Sequence, residues 1–159
     1  IVGRIRAEDY NNIATAWKEK GNLEKAVSYL DQAIVTDPFF SFSYFNKGLY
    51  FLKKEDWENA IFYFEKAFFL NKQHIESKNK LMIALFGLGD QYLKKKEYKN
   101  AIPIYSKIQK IDSQNIDALL NMGVCYVYMG EEIEAKKLFE SILKINPDHS
   151  AAKTNLGLL

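Results

Sequence analysis

The side chains able to do chemistry in this 159-residue chain are few and scattered. Its two histidines, His74 and His149, are accompanied by no cluster of Cys, Asp or Glu at ligand spacing, so no metal site is expected. Cys125 stands between Val124 and Tyr126 with no nearby histidine to activate it, which reads as a buried structural thiol, not a nucleophile. Gly87-Leu88-Gly89 resembles part of a phosphate loop, but no strand pattern precedes it and no third glycine follows. Carboxylates flank lysines at helical spacing, as Glu134 and Lys137 do, and so form a solvated face, not an acid–base pair. We therefore expect no catalytic residue, no metal, no cofactor and no enzyme.

Charge and composition narrow the partners. The chain has 22 basic and 20 acidic side chains for a net charge of +2, spread as twelve against eleven up to residue 80 and ten against nine after it. Without a basic or acidic lobe, nucleic acid is not an expected partner. Lys20, Lys53-Lys54 and Lys94-Lys95-Lys96 could align as a basic ridge, but Glu19, Glu55 and Glu97 interleave and no stacking aromatics accompany them, so solubility is the simpler role. No apolar run approaches the roughly 18 residues of a membrane span. A single cysteine and no Asn-x-Ser/Thr sequon favour a reducing, cytoplasmic compartment.

The elements carrying these residues recur with a 34-residue period. In segments starting at Ala7, Ser41, Met82 and Ile116, the eighth position reads Ala14, Gly48, Gly89, Gly123 and the eleventh reads Trp17, Phe51, Tyr92, Tyr126. The twentieth reads Ala26, Ala60, Ala101, Ala135, and the twenty-fourth Leu30, Phe64, Tyr105, Phe139. Each segment predicts two helices, 7–20 with 23–36, 41–54 with 57–70, 82–95 with 98–111 and 116–129 with 132–145. Small residues at the eighth and twentieth positions let the pair approach, and the aromatics fill the space beside them. Residues 75–81 fall outside the period; seven residues turn a helix by about 700°, so they could lengthen the following helix by about 10 Å with its faces kept aligned.

The pattern resembles the tetratricopeptide repeat (TPR): small at the eighth position, aromatic at the eleventh, Gly at the fifteenth (Gly21, Gly130), Ala at the twentieth, Pro at the thirty-second (Pro38, Pro147). Departures are Lys47 at the seventh position, Glu55 and Lys96 at the fifteenth, Ile108 and Ile142 at the twenty-seventh. The resemblance implies an all-α, right-handed α-solenoid, a single domain of repeats 7–40, 41–74, 82–115 and 116–149, an insert 75–81 and a partial fifth or capping helix at 150–159. It implies a non-enzymatic protein–protein interaction scaffold or adaptor.

In this family a second stripe on each first helix, about 140° from the packing stripe, lines the ligand groove. In the first repeat it is polar, with Asn11, Thr15, Lys18 and Glu19; in the others it is mostly apolar. Phe42, Phe45, Leu49 and Leu52 lie on the second repeat, Ile83, Phe86 and Leu93 on the third, and Leu120, Val124, Val127 and Tyr128 on the fourth. Such a patch implies a partner, expected to be an apolar or amphipathic protein segment, with Asn46 and Asn121 available to bond its backbone. The carboxylate clamp that grips chaperone C-terminal tails is not expected, because its places hold Asn11, Thr15, Asn46, Ile83 and Gly87, without cations in the third repeat. Two other readings stay open. The chain could be the regulatory or targeting segment of a larger enzyme, since it starts without Met and ends mid-helix, or a homo-oligomer assembled through the apolar stripe.

Overall fold

The computed structural model describes residues 5–159, in which the helices are α1 (Ala7–Glu19), α2 (Leu23–Thr36), α3 (Ser41–Lys53), α4 (Trp57–Leu70), α5 (Ile75–Lys94), α6 (Tyr98–Ile111), α7 (Ile116–Tyr128), α8 (Glu132–Ile145) and α9 (Ser150–Gly157). No strand occurs among the described residues, and the fold is an all-α repeat fold. Each helix of a repeat falls within a residue of its expected bounds except α5, which starts at Ile75 and runs for 20 residues.

Local chemistry sets the ends. At the fifteenth position of all four repeats the backbone turns left-handed, at Gly21, Glu55, Lys96 and Gly130. Glycine adopts that conformation freely; Glu55 and Lys96 hold it against the crowding of their own Cβ. At the end of each repeat Asp37, Asn71, Asp112 and Asn146 each accept a hydrogen bond from the backbone N–H two residues on. This side-chain turn closes every repeat, so Lys72 and Ser113 can stand where Pro38 and Pro147 stand in the outer two. Asn115 and His149 then cap the next helix, accepting from the N–H of Ala118 and Ala152. His74, in the corresponding place, lies 2.6 Å from the Ser77 hydroxyl through Nδ1. The histidines thus belong to helix starts. Pro103 lies inside α6 on its exposed side, where the carbonyl it leaves unpaired can reach water.

The chain divides within α5 into two compact units, residues up to 84 and from 85 onward. In the first, α1 packs on α2 through Ala14, Ala26 and Leu30 with Trp17 and Tyr29. Between α3 and α4, a methyl added at Gly48 would lie 2.6 Å from the Phe64 ring. Lys47 departs from the pattern without exposing its charge: its ammonium is paired with Asp31 of α2 and sits 4.7 Å above the Tyr63 ring. Partial burial pulls that ammonium down, and its bonds to Asp31 and Tyr63 more than offset this, leaving it above its ordinary value. In the second unit Gly89 and Gly123 make the same close approach to Tyr105 and Phe139, and α7, α8 and α9 enclose a core of Leu119, Ala135, Phe139, Ile142 and Ala152.

Helix α5 explains how the extra seven residues fit. In its first half Ser77 and Leu81 are buried, and seven residues further on Ala84 and Leu88 are buried in the same relation. Seven residues are nearly two whole turns, so these buried residues lie on one face of the helix.

Candidate functional site

A first helix that uses one stripe to pack on its partner leaves the residues of the opposite stripe to be placed by their angle. Phe42, at the start of α3, is 42% exposed, and Leu49 and Leu52 are half-buried further along the same side. Ile83 of α5 is 50% exposed and Leu93, near the end of that helix, half-buried. On α7, Val124 is half-buried, while Val127 and Tyr128 are exposed. Tyr128 is not idle, since its ring stacks on Tyr98 of α6 at 5.0 Å.

Phe45 requires a correction. It is 7% exposed, its ring 5.8 Å from Phe64 and 4.9 Å edge-on to His74, so it belongs to the core and not to an open stripe. The reason is angular: three residues short of Gly48 is about 60° around the helix, which aims Phe45 at the seam where α4 and the following turn meet it. Phe86 and Leu120, the equivalent residues, follow the same direction. Phe86 lies 6.1 Å from the Tyr105 ring, and Leu120 packs on the core cluster of α7, α8 and α9. Both keep a half-buried edge at the surface.

The asparagines are engaged inside the chain. Asn46 donates from its amide to the Asn11 side-chain oxygen at 2.8 Å, joining α3 to α1. Asn121 bonds the Tyr105 hydroxyl, which also donates to Asp90 at 2.6 Å. Burial and the Asp90 carboxylate push the Tyr105 hydroxyl far above its ordinary value, with Asn121 pulling slightly the other way. Cys125 is fully buried, and that burial pushes its thiol up to about 11, so it is a poor nucleophile at neutral pH. Among the described residues no group of three or more His, Cys, Asp or Glu could hold a metal ion, and no helix is long and apolar enough to cross a membrane.

A cavity in the first unit was not anticipated. It has a volume of about 350 Å³ and opens between α1, α2 and α3, with a floor of Ala14, Ala26, Val27 and Leu30. Leu49 and Leu23 form its walls, and Thr15, Asn46, Lys18 and Lys53 stand at its rim. Its origin is local: Ala14 and Leu30 stand where the other repeats pair a glycine with a large aromatic ring, so the ring that would fill this space is missing. The sequence carried that signal at the twenty-fourth position, where Leu30 is the one residue without a ring.

Family models described as tetratricopeptide repeat match residues 7–39, 43–74 and 92–158. The gap between the last two matches includes the seven extra residues of α5. No curated protein matches the chain. Among solved structures it is similar to YrrB, described as a TPR protein with an unusual peptide-binding site, at 24% identity, a TM-score of 0.54, and 96% of this chain on 75% of that one. It is also similar to MamA from Desulfovibrio magneticus RS-1, residues 41 to the end, at 19% identity, a TM-score of 0.53, and 96% of this chain on 82% of that one. A MamA structure labelled AMB-1 gives 17% identity and a TM-score of 0.55, with 96% of this chain on 79% of that one. These likenesses concern the fold.

Proposed function

The chain belongs to the tetratricopeptide repeat family, whose repeats build protein–protein interaction scaffolds, and on that footing we propose that it binds an apolar or amphipathic protein segment through the inner stripe of its first helices. The segment docks without chemistry being done on it. The cavity between α1, α2 and α3 is the observation that carries this reading: an apolar floor with hydroxyl, amide and ammonium groups confined to the rim suits one apolar side chain projecting from a polar backbone. In the first unit Phe42, Leu49, Leu52 and Ile83 carry the apolar stripe beside this cavity; the second unit has its own, Phe86, Leu93, Leu120, Val124, Val127 and Tyr128. Asn46 retains its carbonyl oxygen at the cavity rim, and Thr15, whose hydroxyl donates to the Asn11 carbonyl at 3.1 Å, retains its lone pairs, so both can accept from the N–H groups of an incoming backbone. With Ile83 and Gly87 where the third repeat of a carboxylate clamp has cations, chaperone tails are not the proposed ligand. The buried free thiol of Cys125 supports a reducing, cytoplasmic setting.

The test is selection of a random peptide library on the immobilised chain. Enriched peptides should carry apolar anchors and lose at least about tenfold in affinity, or about 1.4 kcal/mol, against Leu49→Lys or Phe42→Asp variants of unchanged helicity. Failure to enrich any apolar peptide, or binding indifferent to both substitutions, would count against the reading.

A further inference from the structure

The cavity between α1, α2 and α3 carries charge of one sign. Lys18 of α1 and Lys53 of α3 line it, and no Asp or Glu does so among the described residues. The other lysines nearby are engaged. Lys47 pairs with Asp31, Lys20 and Lys25 lie 5.2 and 4.2 Å from the centre of the Trp17 ring, and Lys54 lies 4.7 Å from that of Tyr50. Lys18 and Lys53 are both exposed, and among the described residues neither has an acidic partner or a ring beneath it. The repeat pattern does not call for Lys18: the twelfth position holds Leu52, Leu93 and Val127 in the other repeats. This cation therefore stands in the same repeat as Leu30, where the missing ring opens the cavity.

Two unpaired cations beside an apolar floor select for more than an apolar group. A side chain entering the cavity excludes water from the rim, so a carboxylate beside it gains from the lowered local dielectric and an ammonium beside it is repelled. A cavity of about 350 Å³ is about 9 Å across if round, and extended chain advances about 3.3 Å per residue, so an acid that reaches the rim stands within about two residues of the anchor. We propose that the protein segment held here carries an Asp or Glu at that distance from its apolar anchor, paired with Lys18 and Lys53. This rests on the reading of the cavity as the seat of an apolar side chain and names the chemistry of that side chain's neighbour. A chain terminus is not required. The two cations stand at the twelfth and thirteenth positions of their repeats, not at the places of a carboxylate clamp, where Asn11, Thr15, Ile83 and Gly87 are found.

Selection of random peptides, acetylated and amidated so that every carboxylate is a side chain, tests this on the intact chain and on a variant carrying Lys18→Glu and Lys53→Glu. Both lysines are exposed, so the variant should keep the helicity and melting of the intact chain. Peptides enriched on the intact chain should carry Asp or Glu beside the apolar anchor at least about threefold more often than the starting pool, and those enriched on the variant should carry Lys or Arg there instead. One enriched acidic peptide and its twin, with the acid replaced by the amide, then close a cycle. The twin should bind the intact chain at least about threefold more weakly and the variant at least as well, and raising salt from about 0.05 M to about 0.5 M should remove most of the difference. Apolar anchors enriched with no acid beside them overturn this inference and leave the binding reading standing. A cycle without coupling between the acid and the two lysines does the same. Failure to enrich apolar anchors at all overturns both.

Discussion

At the scale of single residues, the glycines at the eighth position and the left-handed residues at the fifteenth set the tolerance of each repeat. A Cβ at Gly123 would sit 2.6 Å from Cε1 of Phe139, a ring with no exposure and no room to retreat. Gly123→Leu should therefore cost several kcal/mol, on the order of an overpacked core, read as a fall in the midpoint of chemical denaturation. A neutral result would mean that α7 does not meet α8 at this point. Glu55→Gly and Lys96→Gly run the other way. Each relieves a side chain from a positive φ, of 55° and 60° respectively, and should raise stability by about 1 kcal/mol in the same measurement. Phe45 marks the limit of angular reasoning at this scale. Its position on the helix was legible, but a residue about 60° from the packing stripe goes to the surface or the core according to what sits beside it. His74 and Phe64 decide the matter in three dimensions.

At the scale of elements, most of the fold was legible, because the period, the small residues and the aromatic at the eleventh position agree with one another in all four repeats. Lys47 reads as a defect in that pattern until Asp31 and Tyr63 are seen around it, since a cation's partners lie on neighbouring elements. The same holds for the cavity: Leu30 was visible as a ringless residue, but whether neighbours would close over the space depends on how α3 packs. The length of α5 yields the sharpest expectation at this scale. Deleting residues 75–81 brings Ala84 and Leu88 to the places of Ser77 and Leu81 and removes nearly two whole turns, so the shortened chain should still melt cooperatively. Deleting only residues 78 and 79 rotates everything beyond them by about 200° relative to the start of the helix, which exposes one core face, and circular dichroism should show a broad, non-cooperative transition. Equal behaviour of the two deletions would mean that the registers of the two halves of α5 are not coupled.

For the whole molecule, the proposed binding surface is the stripe of the first helices, which offers apolar side chains beside polar rims. The sequence indicated it as an excess of apolar residues on the wrong side for packing within one repeat. It did not indicate that Phe62 and Phe69 of α4 are exposed, since they look like ordinary aromatic content among the 13 aromatics of residues 39–70. The claim that rests on most of the structure is the binding role of the inner stripe. The measurement that tests it most directly is the map of amide NMR shifts in the isotope-labelled chain on titration with a peptide enriched from the library. The account predicts the largest changes at Thr15, Phe42, Asn46, Leu49 and Leu52 in the first unit, and at Val124, Val127 and Tyr128 in the second. A footprint confined to the outer faces of α2, α4, α6 and α8, with α3 and α7 unmoved, would contradict it.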